Sequence, residues 1–306
     1  MTSYVLAADI GGTKLAAALV GKDGTVLRGR EVPTPAAPPG HPGVVSDALI
    51  GLLREVAGEV PPVAVGVASA GPLDPQAGTV SPVNIPAWRH FPLLARVSDA
   101  VPGAPCHLFG DAVAAAAGEH WRGAGRESRA MLGIVVSTGI GGGLVLDGRP
   151  YTGPTGNAGH IGHIVVDPAG APCPCGGTGC VETIASGPSM VRWARENGWR
   201  GADARELAQA AGQGEAVPLA AFDRAAGALA TAIVAVATVC DLDQVVVGGG
   251  VAAAGEVLFA PLSRAVAERT SLDFVRRLRV TPAALARDAG LIGAARMALL
   301  SSPRTT

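Results

Sequence analysis

Residues 4–21 read YVLAADIGGTKLAAALVG, and residues 130–151 read AMLGIVVSTGIGGGLVLDGRPY. Each is a pair of short apolar runs broken by a glycine turn, the pattern of a two-strand hairpin. Outward from the first hairpin, a third strand falls at Val26–Val32, followed by the proline-rich loop PTPAAPPGHPG at 33–43. Val44–Ala57 carries apolar residues at helical spacing, and VAVGVASAG at 63–71 reads as a buried strand. The strand CHLFGDA breaks at Asp111 into an alanine-rich helix ending near Gly123. Outward from the second hairpin come a long helix at Pro218–Cys240, the strand QVVVGGG and a helix at Gly255–Arg269. A strand at Leu278–Thr281 and a last helix, AGLIGAARMALL, complete the second half. The repetition predicts two duplicated α/β lobes facing across a cleft, with the boundary between residues 111 and 125.

Composition narrows the class. A chain of 306 residues has room for two ordinary domains. A net charge of −1 offers no basic excess to displace counterions, which argues against a nucleic-acid partner. Only Lys14 and Lys22 are lysines, which reads as a coding preference for arginine. The opening MTSYVLAADIGG lacks the basic start of a secretory leader. Ala225–Cys240 is shorter than the ~20 apolar residues that span a bilayer, so it reads as a buried helix with no membrane role. Of five cysteines, three sit at 173–180, a poor disulfide framework. A cytoplasmic chain with one metal cluster and two core cysteines, Cys106 and Cys240, is expected.

Three glycine turns carry candidate chemistry. Asp9-Ile10-Gly11-Gly12-Thr13-Lys14 places a carboxylate, bare backbone, a hydroxyl and a cation within six residues. Such a turn can offer N–H groups and charge to a phosphate; equally, it is a hairpin turn using glycine for positive φ. Ser137–Gly143 occupies the same place in the second half, and Val247–Gly250 ends a strand before a helix. Together these are what a nucleotide polyphosphate would need. Asp111, where strand gives way to helix, suits a helix N-cap or a general base toward a hydroxyl, roles that are compatible. His163, Cys173, Cys175 and Cys180 give the spacing His-x9-Cys-x-Cys-x4-Cys. One imidazole and three thiolates close a tetrahedral Zn²⁺ site with no open position, so the metal is structural.

DIGGTK, STGIGGG, AGHIGH, CPCGGTGCVETIASG and DAGLIGAA, in this order and spacing, resemble the ROK family of sugar kinases. The resemblance covers about Ala7 to Leu300. It implies the two-lobed actin-like ATPase (ribonuclease H-like) fold, α/β in class, with ATP–Mg²⁺ in the interlobe cleft and a sugar deeper in it. It implies an N-terminal lobe at 1–115, on which helix 289–301 packs back, and a larger lobe at 116–288 carrying the zinc loop and the nucleotide and dimer surfaces. By the same resemblance Asp9, Gly11, Gly12, Thr13 and Lys14 border phosphates and metal, Thr138 and Gly139 hold phosphates, and Gly248 and Gly249 lie near adenosine. Asp111 takes the place of the catalytic base. Gly71, Asn84, Gly110, His160, His163 and Glu182 take sugar-side positions, His163 through the ring nitrogen that does not bind zinc.

Two positions depart from the glucokinase-like pattern. His160 stands where those members carry Glu, and Gly110 where the family usually has Asn. AGHIGH, the opening DIGGTKLAAALVGKDG and CGGTGCVETIASG resemble the bacterial N-acetylmannosamine kinases of the family. The implied activity is ATP-dependent phosphorylation of the 6-hydroxyl of N-acetylmannosamine. A glucokinase is the alternative, because SPVNIPAWRHFPL resembles its sugar-side loop. The family's non-catalytic sugar-binding repressors carry a helix-turn-helix before the first strand, for which eight residues before Asp9 leave no room. The resemblance also implies a homodimer.

Overall fold

The structure is a computed structural model describing residues 3–38 and 40–302. Met1 and Thr2 of the opening stretch and Pro39 of the proline-rich loop lie outside the described residues. The chain forms two units. One holds the residues up to Arg126, Arg149–Ala158 and those from Arg287 on; the other holds Glu127–Gly148 and Gly159–Ala286.

The first unit is built on β1 (Tyr4–Ile10), β2 (Lys14–Gly21), β3 (Val26–Pro33), α1 (Gly43–Ala57) and β4 (Ala64–Ser69). A small hairpin of β5 (Leu73–Asp74) and β6 (Thr79–Val80), then α2 (Leu93–Ala100), β7 (Cys106–Gly110) and α3 (Asp111–Arg122), follow. The five-stranded sheet runs β3-β2-β1-β4-β7, with β1 parallel to β4 and β4 parallel to β7. Strand β1 is apolar on both faces, as expected for a strand covered twice. Leu6, Ala8 and Ile10 join the core shared with α1, including Leu49, Leu53 and Trp88. Val5 and Ala7 join the opposite core, with Val113, Ala114 and Ala117 of α3. Period-two alternation puts Asp9 on the Val5–Ala7 face.

The second unit opens with β8 (Met131–Val136) and β9 (Ile140–Leu146); β10 (Arg149–Tyr151) carries the chain back into the first unit. There follow α4 (Val181–Ala185), α5 (Gly187–Glu196), α6 (Ala204–Gly212), α7 (Ala216–Cys240), β11 (Gln244–Gly248), α8 (Glu256–Arg269) and β12 (Arg279–Pro282). Its strand order, β9-β8-β11-β12, repeats β2-β1-β4-β7 of the first: an antiparallel pair, then parallel neighbours. Helix α7 starts before Ala225 and spans 25 residues. Pro218 is tolerated because first-turn N–H groups have no helical partner. Among the described residues α7 is the one helix long and apolar enough to cross a membrane, yet half of its most apolar window is buried. It packs on α4, α5, α6 and α8 and contributes Phe222, Leu229 and Ile233 to the core. Cys106 and Cys240, expected in the core, are half-buried.

The last helix, α9 (Ala289–Ser301), belongs to the first unit and packs on α3, β1 and β4. Its approach to α3 is backbone against backbone: a Cβ added to Gly293 would lie 1.6 Å from the Ala114 carbonyl oxygen. The unit boundary expected at 115 falls inside α3, whose continuous helix keeps residues 116–122 in the first unit.

Candidate active site and metal centre

In the first unit the candidate groups gather at the carboxyl ends of parallel strands β1, β4 and β7, where open α/β sheets place ligands. Asp9 is the penultimate residue of β1, beside α9; a Cβ on Gly290 would lie 2.5 Å from its Oδ2. Burial, then the negative charge of Asp111, pushes the Asp9 carboxyl from its ordinary 3.8 up to about 7. Lys14 opposes that rise and Glu31 adds to it. A half-buried carboxylate beside a second one is a site that a cation would relieve.

Asp111 is the first residue of α3, and the N-cap position belongs to Gly110, with φ −67° and ψ 140°. The N-cap reading of Asp111 is therefore corrected by one residue. The N–H of Ala112 donates to its Oδ1 at 2.7 Å, and the helix dipole favours the charge there.

The Gly11–Lys14 turn departs from the positive-φ reading. Neither Gly11 nor Gly12 is among the positive-φ glycines of the described residues. Gly12 is needed for space, because a Cβ there would meet Asn84 Cβ at 2.6 Å. Asn84 is exposed on a loop pinned by buried Trp88, whose ring N–H donates to the Pro42 carbonyl at 2.9 Å and which stacks on Phe91. The turn is closed by Gly11 N–H donating to the Lys14 carbonyl at 2.9 Å. Thr34 holds it from β3's end, its hydroxyl donating to the Gly11 carbonyl at 2.7 Å. Lys14 donates to Glu31 Oε2 at 2.8 Å, and this exposed pair contributes little stability, about 0–1 kcal/mol. Gly71 follows β4, in the turn whose Ala70 N–H reaches the Ile10 carbonyl at 3.4 Å. A Cβ at Gly110 would meet only ordinary contacts, Val113 at 3.5 Å being the nearest, so the missing side chain leaves open room beside Asp111.

In the second unit two glycine turns lie at the carboxyl ends of neighbouring strands β8 and β11. Gly249 has φ +93°, and a Cβ there would lie 2.3 Å from the Val136 carbonyl oxygen, so the β11 turn rests on the end of β8. Gly248 is packed against Ala283, and Thr138 is exposed. Glu182, in the first turn of α4, accepts the Ile140 N–H on Oε2 at 2.7 Å, beside Gly139.

The cysteine loop is folded as a metal site. Ligand atoms of His163, Cys173, Cys175 and Cys180 all lie within 4.8 Å of one another. Tetrahedral zinc with Zn–S near 2.3 Å requires sulfur–sulfur edges of about 3.8 Å. The Sγ atoms of Cys175 and Cys180 are 3.7 Å apart, and Cys173 Sγ is 3.7 Å from His163 Nδ1. The donor set thus fits zinc in both spacing and softness. Burial, then bonding among the three sulfurs, pushes the metal-free Cys180 thiol up to about 12. His163 turns Nδ1 to the sulfurs, and exposed His160 stacks on it with ring centroids 6.0 Å apart. Cys180 immediately precedes α4, so the ligand loop sets where Glu182 begins its turn.

Sequence reasoning missed Glu31, Thr34 and Gly290. The first two hold Lys14 and the glycine turn across the β2–β3 ladder, where Leu15 pairs with Val32 and Lys14 with Pro33. Gly290 lay within the quoted DAGLIGAA, with no side chain to suggest a role.

The ROK family model matches residues 5–300. An N-acetylmannosamine kinase of Shigella boydii is 41% identical over 294 residues, covering 96% of this chain and 97% of that protein. A ROK family glucokinase from Streptomyces griseus, solved with glucose and AMPPNP, superposes with a TM-score of 0.84 at 31% identity, over 98% of this chain and 100% of that one. A ROK hexokinase from Thermus thermophilus superposes with a TM-score of 0.83 at 34% identity, over 97% and 98% of the two chains. With a family model matching nearly the whole length and a relative 41% identical over 96% of it, the chain belongs to the ROK family.

Proposed function

We propose that this chain is an ATP-dependent kinase that phosphorylates the 6-hydroxyl of N-acetylmannosamine. The observation that carries the substrate is the 41% identity to an N-acetylmannosamine kinase over nearly the full length of both chains. Open room at Gly110 and an imidazole at His160 support a sugar bulkier than glucose, with an acetamido carbonyl to be met by a ring N–H. Glucose is the second reading, supported by the likeness to the glucokinase solved with glucose.

Asp111 is the general base. It accepts the proton of the attacking 6-hydroxyl as that oxygen bonds to the γ-phosphorus, and the bond from that phosphorus to the β–γ bridging oxygen breaks to release ADP. Asp9 would hold the Mg²⁺ that accompanies ATP, whose charge would favour the carboxylate form that burial and Asp111 disfavour. Gly11, Gly12, Thr13, Lys14, Thr138 and Gly139 take the phosphates, and Gly248 and Gly249 lie along the adenosine. Lys14 exchanges Glu31 for phosphate at small cost because the pair is exposed. Gly71, Asn84, Gly110, His160, His163 and Glu182 take the sugar.

Zinc on His163, Cys173, Cys175 and Cys180 is structural and supplies rigidity to the loop that presents His163 and Glu182. Clustered thiols suited to metal rather than disulfides, and the proposed use of ATP, support a cytoplasmic location. A near-neutral charge argues against a nucleic-acid partner. The family's habit and the exposed small-residue face of α7, with Thr231, Ala235, Thr238 and Val239, support a homodimer. The test is ADP release across a panel of hexoses and hexosamines. Sugar-dependent release with N-acetylmannosamine is expected, and release with none of the sugars would end the proposal.

A further inference from the structure

Two regions of the second unit that are read as serving different substrates share one carboxylate. Glu182 Oε2 accepts the backbone N–H of Ile140 at 2.7 Å, the residue that follows the Ser137–Gly139 turn, itself closed by the Ser137 N–H donating to the Gly139 carbonyl at 2.9 Å. A Cβ on Gly139 would stand 2.7 Å from the same oxygen. The other end of the turn is held as well, because the Gly187 N–H, at the first residue of α5, donates to the Ser137 carbonyl at 2.8 Å. Both grips come from the helices that follow the cysteine loop, so the loop's position and the turn's position are set together.

We propose that Glu182 is a positioning residue for the phosphate turn as well as a sugar contact, so that it couples the affinities of the two substrates. This rests on the reading above, in which Glu182 meets the sugar and Thr138 and Gly139 meet phosphate. A carboxylate accepting a backbone N–H makes a charge-assisted bond that favours one rotamer. Sugar hydroxyls donating to Oε1 narrow that choice further and steady the Ile140 amide at the edge of the turn. The nucleotide then meets a turn that is already ordered, and part of its ordering entropy is no longer lost on binding. Thermodynamic linkage makes the effect reciprocal: the nucleotide raises sugar affinity by the same factor.

The experiment is calorimetry on the full zinc-loaded chain, titrating N-acetylmannosamine without nucleotide and AMPPNP–Mg²⁺ without sugar. Gly139→Ala, a change in the phosphate turn, displaces the Glu182 carboxylate and is expected to weaken binary sugar binding about tenfold, the loss of roughly one such hydrogen bond. Glu182→Ala is expected to weaken AMPPNP binding about fivefold or more. Glu182→Gln is expected to stay near wild type toward AMPPNP, because its amide oxygen still accepts the Ile140 N–H. Where thermal unfolding shows Gly139→Ala to be misfolded, the Glu182→Ala and Glu182→Gln pair decides. Unchanged AMPPNP affinity in Glu182→Ala, with sugar affinity lost, overturns the coupling and leaves the sugar-contact reading standing. Unchanged sugar affinity in Glu182→Ala removes the sugar-contact reading and the coupling with it.

Discussion

Replacing Asp9 by Asn should change stability in a pH-dependent way whose sign follows from where the carboxyl sits. The group is half ionised near 3.8 in the open chain and near about 7 in the fold, mainly because of burial and then because of Asp111. Between those two pH values the unfolded chain has lost the proton while the folded chain keeps it. The contribution of Asp9 to stability therefore falls as pH rises from 4 to 7 and is flat above. A gap of about three pH units, at ~1.4 kcal/mol each, gives a cost on the order of 4 kcal/mol at pH 8. Asn has the same shape and no charge to bury. Asp9→Asn should match wild type at pH 4 and exceed it at pH 8 by up to roughly 4 kcal/mol. Urea unfolding followed by tryptophan fluorescence measures this, in magnesium-free buffer without chelators, which would strip the cysteine site. Loss of zinc at low pH affects both proteins and cancels in the difference. Adding AMPPNP and Mg²⁺ at pH 8 should reverse the order, since the bound cation stabilises only the carboxylate form. A variant destabilised equally at pH 4 and pH 8 would refute the reasoning, because Asp9 would then be held by favourable contacts rather than penalised by burial.

Asp111→Asn keeps the side-chain oxygen that accepts the Ala112 N–H but cannot take a proton; it should cut kcat at least ~100-fold while sugar binding measured by calorimetry falls much less. Purified protein should carry about one zinc per chain by elemental analysis. Cys175→Ser should lose metal and sugar affinity together, because α4 begins at the next ligand. Zinc should also be shed on acidification with proton uptake by the thiols, measured with a zinc-sensitive dye, since Cys180 holds its proton tightly without metal. His160→Glu should shift the ratio of kcat/KM toward glucose by up to a few kcal/mol in transition-state terms.

What could be read in the sequence was what repeats or clusters. The two hairpins around Gly11 and Gly139 gave the duplicated plan because a strand's period and a glycine turn are local signals, and both sheets repeat one order. His163, Cys173, Cys175 and Cys180 were legible because metal ligands must lie close in chain or in space, and here they do both. Less legible were α2, α4, α5 and α6, helices of 5 to 10 residues whose burial depends on α7 and on the sheets rather than on their own periodicity. The need for glycine at Gly12 and Gly290 was hidden for another reason. Both are dictated by a side chain distant in sequence, Asn84 for one and Asp9 for the other. Thr34 and Glu31 likewise act through strand register, which sets a partner that spacing along the chain does not reveal.

The most direct measurement is the pair of kcat/KM values of the wild-type protein with ATP for N-acetylmannosamine and for glucose, with the phosphorylated position read by phosphorus NMR. The account predicts the 6-phosphate as product and the higher kcat/KM for N-acetylmannosamine. A higher value for glucose would contradict it.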